Sequence, residues 1–199
     1  NLRSLIDTEQ FRNTESAVPY CMGKSLDGGI NITDIASMPH LLLAGATGSG
    51  KSIAVHSVIN SILFKSSPKQ VKMLLMDPKR VELPIYDGMP HLAEKNLRVI
   101  TDTEKAVSML KAVVDNMNER YDMLAKENVA EISLYNARKN PEERMPRLVV
   151  VIDEMADLMV LAKNAVENAI VRIAQMARAV GIHLVLATQR PSVDCLLYT

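Results

Sequence analysis

The stretch His40–Ser57, HLLLAGATGSGKSIAVHS, constrains this chain more than any other part of it. An apolar run, a glycine-rich turn and an amphipathic segment follow one another without a gap. Gly45, Gly50, Lys51 and Ser52 fit the pattern G-x-x-x-x-G-K-[ST], in which backbone N–H groups curl round a polyphosphate with no side chain in the way. Leu41, Leu42 and Leu43 supply the short buried strand that leads into such a loop. Ile53, Val55, Val58, Ile59, Ile62 and Leu63 recur behind it at helical spacing. The new helix then meets the phosphates with unpaired N–H groups and the positive end of its dipole. Gly45, Ala46, Thr47, Gly48, Ser49, Gly50, Lys51 and Ser52 are therefore the expected nucleotide-binding residues. Lys51 would reach the β- and γ-phosphates of ATP, and the Ser52 hydroxyl would join the shell of its Mg²⁺. A helix-capping turn that happens to be rich in Gly and Ser is the plain alternative, and the matching flanks speak against it. A dinucleotide fingerprint is excluded, because its third glycine is missing and a Lys–Ser pair stands at the helix start.

A second element points to the same chemistry. Arg147–Met159, RLVVVIDEMADLM, runs β-favouring residues into Asp153 and Glu154, so a buried parallel strand delivers two carboxylates to the rim that carries the phosphate loop. Asp153 is expected to hold the Mg²⁺ shell together with Ser52. Glu154 is expected to orient and deprotonate a water attacking the γ-phosphate. Adjacent surface acids would look the same in isolation, and the upstream loop makes that the lesser reading. Ile182–Ala187 forms a further buried strand that ends in Thr188, Gln189, Arg190 and Pro191. An uncharged Gln189 there can hydrogen-bond both the attacking water and the γ-phosphate, so it joins Lys51 and Glu154 as a candidate catalytic residue.

The remaining sequence sets bounds. At 199 residues the chain suits one α/β domain with a sizeable core. Its 23 basic and 23 acidic residues cancel, so no global basic field advertises nucleic acid. Cys21 and Cys195 have no paired spacing, and His40, His56, His91 and His183 are scattered, which argues against a disulfide framework and a histidine metal centre. No apolar run approaches a membrane span.

In chain order, residues 1–20 are expected to be a linker with a short helix, and Tyr20–Ile35 a hairpin, placed either beside the nucleotide base or at a plain edge. Val71–Met76 is a second parallel strand whose end carries Asp77, Pro78, Lys79 and Arg80 to the ligand rim or into a solvated turn. Leu97–Ile100 is expected to add a short strand, and Thr101 and Glu104 to form a capping box. A long amphipathic helix runs on from Ala106. Residues 136–146 are a polar loop, and Glu167–Val180 is a helix stopped by Gly181. This divides the chain into residues 1–36, a linker and hairpin, and residues 37–199, the ATPase core.

Four blocks in order, GATGSGKS at 45–52, MDPKRVEL at 76–83, VVVIDEMADLM at 149–159 and GIHLVLATQRPSVD at 181–194, together with MPHLLLAG at 38–45, resemble the motor domain of the FtsK/SpoIIIE family of DNA translocases. The resemblance implies an α/β, RecA-like P-loop NTPase fold with a mostly parallel sheet flanked by helices. It implies ATP hydrolysis coupled to double-stranded DNA translocation in chromosome segregation at division or sporulation, by a homo-hexameric ring. It makes Lys51, Ser52, Asp153, Glu154 and Gln189 the nucleotide machinery, and it places Ile182–Ala187 between Leu41–Ala44 and the Asp–Glu strand. A related ring ATPase moving protein or conjugative DNA, or a nucleotide-binding module without turnover, are the competing readings.

The tail Cys195–Thr199 departs from the family pattern. The expectation is accordingly a motor truncated at its C-terminal end, lacking the next strand and the arginine finger and poorly active alone. The segment is expected to be cytoplasmic with no membrane contact of its own, while the resemblance implies that the complete protein is tethered to the inner face of the bacterial membrane.

Overall fold

The computed structural model describes residues 2–189. Arg190, Pro191, Cys195 and the unusual tail lie outside the described residues. Among the described residues four parallel strands form the central sheet: β3 (Leu41–Ala44), β4 (Val71–Met76), β5 (Arg147–Asp153) and β6 (Ile182–Thr188), in the order β3-β6-β5-β4. The expected placement of Ile182–Ala187 between the phosphate-loop strand and the Asp–Glu strand is therefore what the sheet shows. Alternate residues of the three long strands enter opposite cores. Leu74, Met76, Val150, Ile152, Leu184 and Leu186 face one side, and Met73, Leu75, Val149, Val151, Val185 and Ala187 the other. Burial on both faces is why these strands read as unbroken apolar runs instead of an in–out alternation.

One face is covered by α4 (Thr103–Lys126) and α6 (Met155–Met176), the other by α3 (Lys51–Lys65). On α3 the buried positions are Val55, Val58, Ile59 and Ile62, while Ile53, expected in the core, is 76% exposed. An antiparallel hairpin of β1 (Pro19–Lys24) and β2 (Ile30–Asp34) packs on the outer side of α3. Ser57 donates to the Cys21 carbonyl at 2.6 Å and Ser61 accepts from the Cys21 amide at 3.1 Å. Hydroxyls on the helix thus satisfy a strand edge, which explains two buried serines in an apolar face. The stretch expected to be a linker with a short helix holds two, α1 (Leu2–Ile6) and α2 (Glu9–Arg12), whose Leu5, Ile6 and Phe11 bury against Cys21.

Several local expectations shift. The cap of α4 is Asp102, which accepts from the Lys105 amide at 2.7 Å, one residue later than the Thr101–Glu104 box. Leu97–Ile100 makes no strand; Ile100 contributes a single bridge to Met76. The stretch before the polar loop contains α5 (Ile132–Ala137), which buries Ile132 and Tyr135. Gly181, at φ 71°, turns α6 into β6, and a Cβ there would stand 2.6 Å from Ile132 Cδ1, so the turn and α5 lock together. Helix α6 begins at Met155, immediately after the two acids and twelve residues before the expected start at Glu167, and is kinked at Ala162.

Two of the histidines are structural. His183 is fully buried; its Nδ1–H donates to the Pro39 carbonyl at 3.0 Å and its Nε2 accepts from Arg147 at 3.2 Å. His40 Nδ1 accepts from the Leu184 amide at 3.0 Å, so the two rings pin the start of β3 to β6. Burial first, and then the Arg147 charge, push the His183 pKa down to about 4 from its ordinary 6.5. The unfolded chain therefore binds a proton between pH 6.5 and 4 that the folded chain refuses. Stability is full above about pH 6.5 and falls as the pH drops towards 4, by on the order of 3 kcal/mol from this ring. Denaturant midpoints measured across that window should fall less steeply in His183→Gln than in the unchanged chain; parallel slopes would refute the assignment.

Candidate nucleotide site

Strand register builds the site. Ala44 pairs with Thr188, and Asp153 pairs with Ala187. The carboxyl ends of β3, β6 and β5 therefore finish level, and Gly45 N–H donates to the Thr188 carbonyl at 3.2 Å as the loop departs. Residues 45–50 then climb to α3. At Gly45 a Cβ would collide with Ser49, and Gly50, the residue before the helix, sits at φ 92° with no side-chain cap on the first turn. The first-turn amides are thus left for an incoming anion. Ala46, Thr47, Gly48, Gly50, Lys51, Ser52, Ile53, Glu82 and Gln189 line one open pocket of about 320 Å³, which contains no residue from β1 or β2.

Lys51 Nζ lies 2.5 Å from Asp153 Oδ1, with both side chains only 4% exposed. Burial raises the Asp153 pKa above the ordinary carboxylate range, opposed by the hydrogen bond from Lys51, while the charges of Asp77 and Glu82 push it further up. Glu154 follows in a left-handed backbone conformation, φ 64° and ψ 69°, turning the chain sharply from β5 into α6. A non-glycine residue there costs ~1–3 kcal/mol and is held by its surroundings. Those surroundings are explicit. Oε1 accepts from Thr188 Oγ1 at 2.8 Å, the Gln189 amide lies 3.1 Å from Oε2, and Lys79 Nζ lies 3.2 Å from Oε2. Burial works to raise the Glu154 pKa, but these donors outweigh it and hold the carboxyl below the ordinary range.

The residues singled out in the sequence thus meet at one sheet edge. Lys51 pairs with Asp153, Gln189 reaches the loop through Thr47 Oγ1 at 3.3 Å, and Glu154 sits beside Gln189. Three participants went unassigned. Thr188 and Lys79 hold Glu154, and Glu82 accepts from the Ser52 hydroxyl at 2.8 Å. Lys79 and Glu82 belong to the polar segment after β4, and Asp77 explains its shape. Fully buried, Asp77 accepts from the amides of Arg80, Val81, Glu82 and Leu83 at 2.9–3.0 Å, which folds the segment back over the loop.

The donor set fits a magnesium nucleotide. Among the described residues no group of three or more His, Cys, Asp and Glu is assembled round one point. Mg²⁺ on a nucleotide is commonly held by one or two protein oxygens with phosphates and water, and Ser52, next to Lys51, and Asp153, paired with it, are the oxygens that would hold it here.

A parallel sheet with this strand order, a glycine loop feeding a helix and a strand-end acid paired with the loop lysine define a P-loop ATPase fold. The FtsK/SpoIIIE family model matches residues 1–193. The chain belongs to the FtsK/SpoIIIE family. It is 53% identical over 193 residues to the DNA translocase FtsK of Caldanaerobacter subterraneus subsp. tengcongensis, covering 97% of this chain and 27% of that protein. It is 47% identical over 197 residues to the DNA translocase SftA of Bacillus subtilis, covering 98% of this chain and 20% of that protein. The chain thus spans about a quarter of the length of such relatives. Among solved structures, the conjugation coupling protein TcpA, in its monomer form with ATPγS, superposes with a TM-score of 0.73 at 26% identity, covering 94% of this chain and 52% of that one. The cytoplasmic domain of the type VII secretion ATPase EccC from Thermomonospora curvata superposes with a TM-score of 0.72 at 27% identity, covering 96% and 23% respectively. No helix among the described residues is long and apolar enough to cross a membrane.

Proposed function

We propose that this chain is the nucleotide-hydrolysing element of a double-stranded DNA translocase that works as a homo-hexameric ring in chromosome segregation. The observation that carries the reading is the convergence of the Lys51–Asp153 pair, Glu154 and Gln189 at one sheet edge beside an uncapped helix start. Sequence identity of 53% to a DNA translocase, against 26–27% to the conjugation and secretion proteins, favours DNA in segregation over those cargoes.

The loop amides and Lys51 bind and orient the β- and γ-phosphates, and Lys51, already drawn to one anion in Asp153, gains a second. Mg²⁺, held by Ser52 and Asp153, would supply positive charge at the transferring phosphoryl group. Glu154 takes the proton of a water whose oxygen bonds to the γ-phosphorus as the bond to the bridging oxygen of ADP breaks. Gln189 orients that water. Thr188, the Gln189 amide and Lys79 all donate to Glu154, so the carboxylate takes the proton on a lone pair they leave free or that the loosest of them gives up. Oε2 is the one to open, because Lys79 is 41% exposed whereas Thr188 is buried.

The test is ATP turnover by the full-length protein with and without long duplex DNA. Stimulation of about tenfold or more is expected, equivalent to roughly 1.4 kcal/mol off the barrier. Equal rates in both conditions would leave a nucleotide-binding module and overturn the motor.

A further inference from the structure

Glu82 belongs to neither signature of the fold, yet it reaches into the phosphate pocket and accepts the proton of the Ser52 hydroxyl at 2.8 Å. Its backbone is fixed from below, its amide donating to the buried Asp77 carboxylate at 2.9 Å. Its other oxygen lies 3.6 Å from His56 Nε2. Behind it, His56 Nδ1 and the Tyr86 hydroxyl are 2.7 Å apart, and Asn60 donates to that hydroxyl at 3.2 Å. One arrangement satisfies every group. Tyr86 accepts from Asn60 and donates to Nδ1, which leaves the Nε2–H of His56 directed at Glu82. Glu82 is thus anchored through its backbone amide by the buried Asp77 and through one carboxylate oxygen by Ser52, with the His56 imidazole 3.6 Å from the other oxygen.

A serine hydroxyl has one proton and two lone pairs. With the proton committed to Glu82, Ser52 offers only lone pairs to anything in the pocket, and the carboxylate makes its oxygen more electron-rich. Partners of this kind, one step behind a metal ligand, set its orientation and typically change metal affinity by about 10- to 100-fold. We propose that Glu82 is a positioning residue for magnesium, aiming the Ser52 oxygen at the ion of a bound nucleotide while His56 and Tyr86 hold Glu82 in place. The proposal rests on the reading of this pocket as a magnesium nucleotide site.

The test is binding of a fluorescent ATP analogue to the full-length protein, once in Mg²⁺ and once in EDTA, with Mn²⁺ binding by electron paramagnetic resonance as a second readout. Glu82→Ala should lose about 10- to 100-fold of the gain in affinity that Mg²⁺ gives over EDTA, and bind Mn²⁺–nucleotide more weakly. Glu82→Gln, which keeps a carbonyl acceptor, should recover most of the loss. In a Ser52→Ala background Glu82→Ala should cost nothing further. Should Glu82→Ala fail to fold, Glu82→Ser carries the same test, since its short hydroxyl cannot reach Ser52. Equal losses with and without Mg²⁺, or a full extra loss on top of Ser52→Ala, would reduce Glu82 to a structural residue and overturn the proposal while leaving the nucleotide site intact. An unchanged protein that binds the analogue in neither condition would overturn both.

Discussion

Glu154→Gln is expected to bind ATP as the unchanged protein does and to hydrolyse it about 10² to 10⁴ times more slowly, the range removed with a general base. The amide has the size of the carboxylate, and its oxygen can still accept from Thr188 and the Gln189 amide, so the turn into α6 should survive. The substitution removes the proton acceptor and the attraction for Lys79, whose ammonium would face an N–H instead of Oε2. Single-turnover phosphate release, beside a nucleotide titration, separates the two effects. Normal hydrolysis by the Glu154→Gln protein would show that another group takes the proton.

The second large effect is at Lys51. In the proposed reading, removing it takes away a charge aimed at the β- and γ-phosphates, and losing one partner of a buried, hydrogen-bonded charge pair costs ~2–5 kcal/mol. Lys51→Ala should therefore weaken ATP binding by a factor of about 30 to several thousand. It should also lower the melting temperature, because Asp153, 3% exposed, is left without its counter-charge, a loss of ~3–5 kcal/mol. The two consequences can be separated. Lys51→Ala combined with Asp153→Asn should recover stability, since the orphaned carboxylate is gone, and should not recover binding. Micromolar or tighter ATP binding by Lys51→Ala would remove the phosphate role from this lysine.

The expected elements that held are those whose signal is local and dense. The phosphate loop occupies eight consecutive residues, and the three long strands are runs of apolar residues bounded by polar ends. Boundaries failed where local pattern and tertiary packing compete. The helix expected to start at Glu167 begins at Met155 instead, because the left-handed turn at Glu154 starts it directly after β5, and it leaves Val160 and Leu161 on the surface. Residues 1–20 read as a linker with a short helix; that Leu5, Ile6 and Phe11 are buried depends on Cys21, which comes from the hairpin. Ile53 fits the helical stripe of α3 yet is exposed and lines the open pocket.

Sequence alone determined the chemistry available here: a glycine loop that can take phosphates, a lysine and a serine at a helix start, and acids and a glutamine at strand ends. Which of these groups touch was decided by the tertiary structure, through a parallel register that ends Ala44, Thr188 and Asp153 at one level and a buried Asp77 that folds the next segment over the loop. Glu82 is thirty residues from Ser52, and Lys79 is seventy-five from Glu154. No spacing rule links residues that far apart, because their meeting depends on the order in which whole strands pack, and that order follows from burying both faces of the sheet at once.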